Sequence, residues 1–486
     1  MSTAVSANPG SKATLVRELS LTDGILLVVG TVIGSGIFAN SADVAAALPA
    51  PVLFLGIWAA GGVICFCAAV AVAELGAMYP EAGGQYVYLR EAFGDVVAFL
   101  YGWMMFVAGG SGGCSTLAVA FAAYFGKVLP ILDADKVIWS TAAWTWKSGH
   151  LVPTVWHLTR GDMVAVAAIA FLTVINVLGV RRAVTLQNAA TWLKYIGIAG
   201  FIVLGFVFGK GTTAHFHLGG VREAFHGGFY PLLSAAGVAF IAVFWSYDGW
   251  VYVSAVGGEI RDAERNIPRS LILGIAAIVA LYMLANAVYL YALPTTEIAR
   301  HTTVAEYAAE TLFAPGVARW FALLVSVVCF GALSCCLMAN ARIVYAMAHD
   351  GLFFRRMGDV HSSYRTPAFA LVAQGLVACV IALSGTFDQL FTYSVFGMTL
   401  SYIACVIALF VLRRTRPSHP RPYRCAGYPW FPALYVVLIG AWILNTVVRR
   451  PFEAVSCLGL LAVGLPGFLW WKKGRPVDPS VSRAES

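Results

Sequence analysis

Apolar residues along this chain come in long runs separated by short polar stretches. A helix needs ~20 apolar residues to cross a bilayer at a rise of about 1.5 Å per residue. Twelve runs of this kind occur, near 22–48, 51–79, 95–126, 161–180, 190–209, 230–258, 268–293, 317–348, 367–384, 387–412, 431–448 and 453–472. The pattern predicts an all-α integral membrane protein of twelve transmembrane helices. Several runs exceed the minimum length, which predicts tilted or broken helices. Ser384-Gly385-Thr386 leaves only a tight outer turn between the ninth and tenth runs. Residues 1–19, small and polar, read as a flexible arm; 20–475 hold the helical domain, and 476–486 a short tail.

Two runs are interrupted at their centres. The first contains Gly30-Thr31-Val32-Ile33-Gly34-Ser35-Gly36-Ile37-Phe38, the sixth Phe244-Trp245-Ser246-Tyr247-Asp248-Gly249-Trp250. Glycine costs ~1 kcal/mol against alanine in a helix interior. Backbone groups freed by a break find no water in lipid, so a break survives only inside protein or against a bound solute. The interruptions fall five helices apart, and five is odd, so the two halves sit inverted in the membrane. Paired interruptions of this kind point to a transport site at mid-depth.

Composition agrees with the membrane reading: 60% of residues are hydrophobic and 12% charged, where a soluble domain has ~25% charged. The first run is too long, and too acidic in its flank (Glu18, Asp23), for a cleaved signal peptide. The net charge of +8 follows the membrane and calls for no nucleic acid. Most of the 32 basic residues fall on one set of loops and ends, including Arg17, Arg90, Arg181, Arg182, Arg261 and Arg413. By the positive-inside rule both termini are cytoplasmic. The ten cysteines lie mostly in apolar runs and read as small core residues, with no disulfide framework or metal site. The largest outer loop, about 127–160, carries Trp139, Trp144, Trp146 and Trp156 with His150 and His157. It reads as an interfacial aromatic belt, since further metal-ligand partners are missing.

A broken helix offers specific chemistry. The half-helix after Gly34-Ser35-Gly36 begins with unpaired amides at the positive end of its dipole, where a carboxylate docks without an arginine. Carbonyls at Trp245 and Ser246, joined by those near Val32-Ile33, are acceptors for an ammonium. One donor cluster beside one acceptor cluster suits the zwitterion of an α-amino acid. Glycine clusters also permit close helix packing with no ligand at all, but two of them at inverted positions favour the site.

Further motifs carry a resemblance. Arg17-Glu18-Leu19-Ser20-Leu21 leads into the first interruption, and the stretch from Ala73-Glu74-Leu75-Gly76 to Leu89-Arg90-Glu91-Ala92-Phe93-Gly94 follows the second run. Glu259-Ile260-Arg261-Asp262 to Asn266-Ile267-Pro268-Arg269 follows the sixth, and Arg421-Pro422-Tyr423-Arg424 precedes the eleventh. Over nearly all of residues 15–472 the chain resembles the amino acid–polyamine–organocation superfamily, most closely its L-type amino acid transporter branch and bacterial relatives. The resemblance implies a five-plus-five inverted repeat, about 20–210 and 228–413, with helices one and six unwound and two peripheral helices at about 431–472. It implies that Ser35, Gly36 and Ile37 hold the substrate carboxylate while carbonyls of Ile33, Trp245, Ser246 and Asp248 take the amine. Trp245 stands where the family usually places a phenylalanine gate. The indole is bulkier and brings an N–H that needs a partner.

Two charged residues have competing readings. Asp248 is either the N-cap of the second half-helix, the favoured reading, or a carboxylate in the site that favours cationic substrates. Lys194, placed near the cytoplasmic end of the fifth helix, either snorkels to the interface or serves transport. The resemblance puts it where sodium-coupled relatives bind sodium, so its ammonium replaces that cation and ties helices one, five and eight together, or couples transport to protons. Gln187, Asn188, Tyr393 and Asn340-Ala341-Arg342 are weaker candidates for the inner path. Glu259 and Arg17 are a candidate latch, and Glu74 is a structural hydrogen-bond partner.

These observations point to a sodium-independent transporter of neutral L-α-amino acids in a bacterial inner membrane, an exchanger, with no cofactor and no resident metal. A proton-coupled symporter and a cationic amino acid or polyamine transporter are the alternatives. An enzyme lacks its motifs here, and a channel its filter. The resembled branch joins a single-span partner through a cysteine in the loop between helices three and four. That loop contains none here, so no disulfide-linked heavy chain is expected.

Overall fold

The computed structural model describes residues 14–147, 150–216, 228–301, 303–384, 387–449 and 451–473. Helices occupy most of them. Ser20 starts α1 (Leu21–Val32) with a capping box, its hydroxyl accepting from the Asp23 amide at 3.2 Å while Asp23 accepts from the Ser20 amide at 2.8 Å. The chain turns through 33–35 and resumes as α2 (Gly36–Ala47), bent 45° from α1. Then follow α3 (Pro51–Met78), the short α4 (Gln85–Phe93) and α5 (Asp95–Val128), which holds a π-helical stretch at Met105–Gly109. After a hairpin come α6 (Arg160–Val177), α7 (Val180–Phe208), α8 (Phe229–Ser246) and a single turn, α9 (Tyr252–Ala255). The remainder is α10 (Ala263–Ala292), α11 (Val304–Leu312), α12 (Ala318–His349), α13 (Ala368–Ser384), α14 (Phe387–Thr415), α15 (Trp430–Arg449) and α16 (Pro451–Lys473).

Every one of the twelve apolar runs contains a helix. Among the described residues nine helices are long and apolar enough to cross a membrane, ten with α1 and α2 taken as one bent span. The apolar parts of α8 and α13, Tyr230–Ser246 and Ala368–Ser384, are shorter. The turn at Gly385-Thr386, most of the arm and the tail lie outside the described residues. Of the nine, α12 is the most enclosed, with 78% of its apolar window buried, while α15 and α16 at 28% and 22% sit at the edge of the bundle.

Three expectations need correction. The chain is not purely helical, because β1 (Val137–Lys147) and β2 (His150–Thr159) form an antiparallel hairpin, pairing Val137 with Thr159 and Lys147 with His150. Val, Ile, Thr and Trp fill these strands, residues that suit a pleated surface. The indole of Trp156 donates to Leu383 O at 2.9 Å and ties the hairpin to the end of α13. The sixth run breaks more completely than expected, since after Ser246 only the one-turn α9 and a 3₁₀ turn at Gly257–Glu259 follow. And α7 begins ten residues before its apolar run. Polar residues such as Arg181, Arg182 and Gln187 continue a helix well, so the hydropathy boundary is not the helix boundary.

Glu74 is a structural hydrogen-bond partner. Fully buried at the end of α3, it accepts from Arg413 Nε at 3.0 Å and Nη2 at 2.6 Å, and from the Cys425 amide at 2.6 Å, with Arg421 Nε 3.2 Å away. One carboxylate thereby joins α3, the end of α14 and the segment before α15. The retained end of the N-terminal arm is pinned as well. Glu18 and Leu19 amides donate to Glu259 O at 2.9 Å, and Leu19 O accepts from the Arg261 amide.

Candidate functional site

The two interruptions meet in the middle of the bundle, and they meet through glycine. A Cβ on Gly36 would stand 2.9 Å from Ser246 Oγ and 3.1 Å from Ser246 Cα. Gly249, at φ 103°, brings its backbone against α1, where a Cβ would stand 3.1 Å from Thr31 O. Each break thus supplies the glycine that lets the other approach. Tyr282 on α10 joins them again, its hydroxyl 3.0 Å from both Val32 O and Ser246 O.

A cavity of about 50 Å³ opens where they meet, bordered by Ser35, Gly36, Trp245, Ser246 and Asp248. Gly109, Gly113 and Leu117 of α5 wall it from one side, Cys336 of α12 and Met398 of α14 from others. The donor pole is present. The first hydrogen bonds of α2 run from the Phe38 and Ala39 amides to Ser35 O, so the amides of Ser35, Gly36 and Ile37 precede them and meet no backbone acceptor among the described residues. The side chain of Ile37 is buried and does not border the cavity, nor does Ile33.

The acceptor pole is already in use. Ile33 O accepts from Lys194 at 3.1 Å, Trp245 O from the Asp248 amide at 3.1 Å, and Ser246 O from Tyr282. A carbonyl oxygen has two lone pairs, so each retains one for a further donor.

Lys194 is not a snorkelling residue. Because α7 starts at Val180, Lys194 falls at mid-helix, fully buried, and its ammonium donates to Gly30 O at 2.9 Å as well as to Ile33 O. A Cβ on Gly331 of α12 would lie 3.3 Å from its Cε. The first, fifth and eighth runs therefore do meet at this side chain.

Asp248 is not the N-cap. Residues 247–251 form a turn, Val251 takes the cap position of α9, and no side chain caps it. The carboxylate instead accepts a short hydrogen bond from Tyr402 of α14, whose ring stacks on Trp250 at 5.7 Å. Trp245 is half-buried at the cavity wall.

Outside the cavity, Glu259 does not pair with Arg17. It forms a buried ion pair with Arg342, Nη2 to Oε1 2.9 Å, while Arg342 also donates to Met338 O. Asn188 donates to Asp23 at 2.6 Å, and Asn340 lies 3.9 Å from Cys114 Sγ. Both Gln187 side-chain atoms and the Thr191 hydroxyl are buried without a partner among the described residues. The Tyr393 side chain lies outside the described residues. Reasoning from sequence missed Tyr282, Tyr402 and Asn40, which donates to Ser246 Oγ at 2.9 Å and Ala242 O at 3.0 Å.

Comparison with known proteins agrees with this architecture. The family profile named "Amino acid permease" matches residues 19–457. The mouse b(0,+)-type amino acid transporter 1 is 29% identical over 455 residues, 93% of this chain and 87% of that protein. The serine/threonine exchanger SteT of Bacillus subtilis (strain 168) is 28% identical over 459 residues, 93% of this chain and 95% of that protein. The mouse large neutral amino acids transporter small subunit 2 is 26% identical over 476 residues, 97% and 84% of the two chains. With several apolar helices long enough to span a bilayer, the chain is a multi-pass membrane protein of the amino acid permease family, within the amino acid–polyamine–organocation superfamily.

Proposed function

We propose that this chain exchanges neutral L-α-amino acids across a bacterial inner membrane, without sodium, by alternating access. Twelve spans in a five-plus-five inverted repeat, with both termini cytoplasmic, frame that reading. The observation that carries it is the meeting of the two interruptions at one cavity bordered by Ser35, Gly36, Trp245, Ser246 and Asp248; the amides of Ser35, Gly36 and Ile37 would form one pole and the carbonyls of Ile33, Trp245, Ser246 and Asp248 the other. A zwitterion bound between them satisfies both. Lys194 stands in for a cation at the end of α1, which supports sodium independence. Trp245, at the wall, serves as the gate. Serine/threonine exchange by a relative similar over 93% of this chain supports exchange.

A second reading, transport of cationic substrates, is favoured by Asp248, which borders the cavity and does not cap a helix. Proteoliposomes loaded with unlabelled amino acids and presented with a labelled panel separate the two. Uptake that needs internal amino acid and ignores sodium supports the proposal. Preference for arginine or lysine, abolished by Asp248→Asn, supports the second reading, and pH-driven uptake into empty vesicles would replace exchange with proton coupling. A lone subunit is expected on a non-reducing gel, since the loop between the third and fourth runs has no cysteine. A covalent heterodimer there would contradict this.

A further inference from the structure

Outside the cavity, two grooves run together on the surface between α1 and α7. The first, about 480 Å³, is apolar and faces outward from the bundle; Ile25 and Leu26 form one wall, Trp192, Tyr195, Ile196 and Ala199 the other. The second, about 550 Å³, lies at the end of α1 and is charged: Glu18, Asp23, Arg181 and Arg261 border it with Ser20. Thr22 borders both, so the charged groove and the apolar groove adjoin, one the mouth and the other the slot of the same surface region.

Among the described residues the mouth is only partly satisfied. Asp23 is occupied, accepting from Ser20 and Asn188. Arg181, largely exposed, reaches it only at 3.9 Å. Arg261 makes one long bond, Nε to Arg17 O at 3.4 Å. Glu18 forms no ion pair among the described residues. Two guanidiniums with donors to spare therefore border the same groove as a carboxylate that has no ion-pair partner among the described residues, next to an apolar surface groove.

We infer that this surface region binds a zwitterionic phospholipid with a primary-amine headgroup, of the phosphatidylethanolamine type. Its phosphate bridges Arg181 and Arg261, as guanidinium forks favour, its ammonium donates to Glu18, and one acyl chain fills the slot between α1 and α7. Charge chooses this occupant. An anionic glycerol headgroup would satisfy the arginines and oppose Glu18, and a choline headgroup has no N–H to donate. The lipid would sit against the half-helix that ends at the substrate cavity, wedged beside the helix that carries Lys194.

The full-length protein, delipidated in detergent and then offered equal amounts of phosphatidylethanolamine, phosphatidylcholine and phosphatidylglycerol, tests this by native mass spectrometry. Wild type is expected to retain phosphatidylethanolamine at least fivefold over the other two. Arg181→Gln/Arg261→Gln loses retention of phosphatidylethanolamine, Glu18→Gln loses the preference over phosphatidylcholine, and Ala199→Trp, which fills the slot, loses both. Equal retention of the three lipids, preference for phosphatidylglycerol, or variants that bind as wild type would overturn the inference. The readout is binding, so it stands or falls apart from the transport reading.

Discussion

Replacing Lys194 by methionine keeps a side chain of similar length and removes the ammonium. Gly30 O and Ile33 O then lose donors at 2.9 and 3.1 Å. A hydrogen bond from a charged group contributes ~1.5–3 kcal/mol, so the two together hold the end of α1 by ~3–6 kcal/mol. Against this, a buried ammonium carries a desolvation cost of several kcal/mol that methionine does not. The terms nearly offset, and the folded state is expected to change by ~2 kcal/mol or less. Function has no such offset. The carbonyl of Ile33 is held by Lys194, and Ser35 two residues on borders the cavity. Losing ~3 kcal/mol of positioning there corresponds to a ~100-fold drop in exchange, at 1.4 kcal/mol per factor of ten. The assay is counterflow of labelled amino acid into proteoliposomes, with thermal unfolding of the same preparations as the control for fold. Exchange within threefold of wild type, at equal folded protein, would refute the reasoning.

Other perturbations test the surrounding contacts. Gly36→Ala places a methyl 2.9 Å from Ser246 Oγ and 3.1 Å from its Cα; overpacking of this kind costs ~1–3 kcal/mol, and substrate-induced thermal stabilisation is expected to vanish while the apo protein still melts cooperatively. Tyr282→Phe removes the donor shared by Val32 O and Ser246 O. A loss of ~1–3 kcal/mol is expected from the stranded acceptors, read as a lowered melting temperature with slowed counterflow. Glu259→Gln leaves the buried Arg342 without its counter-charge, which costs ~3–5 kcal/mol; the double replacement of Glu259 and Arg342 by Gln and Met is expected to recover most of the melting temperature.

How much was legible in the sequence depends on what each feature looks like in one dimension. The break at Gly34-Ser35-Gly36 was visible because glycines and a serine interrupt an apolar run. Lys194 was visible as a charge in such a run, but its depth was not. The polar residues from Arg181 to Asn188 resemble a loop and are helix, which moves Lys194 from an end to the middle of α7. Asp before a helix reads as a cap; the three residues, 249–251, that separate Asp248 from α9 include Gly249, which meets α1, a tertiary fact. The hairpin was hidden by tryptophans that suggest a membrane interface equally well. Tyr282, Tyr402 and Asn40 could not have been singled out. Each is an ordinary residue in its own helix, and its importance comes from a partner 36, 154 or 206 positions away.

The same limit applies to side-chain selection, but the structure narrows it. Poles that bind ammonium and carboxylate, as proposed above, would serve all α-amino acids alike and discriminate nothing. Discrimination must come from the rest of the cavity wall, which α5, α12 and α14 supply. Gly109 and Gly113 lie four residues apart and so share one face of α5. Gly109 is held small by packing, with Met105 Sδ 3.2 Å from where its Cβ would be. Gly113 is different, since a Cβ there would meet nothing within 4 Å. Close packing does not account for that glycine; on the reading proposed above, a substrate side chain directed at α5 would. Such a side chain would lie in the same cavity as Asp248, Cys336 and Met398. A cavity of about 50 Å³ with one carboxylate on its wall suits a small side chain able to donate a hydrogen bond. A hydroxyl meets that description at the least cost in space.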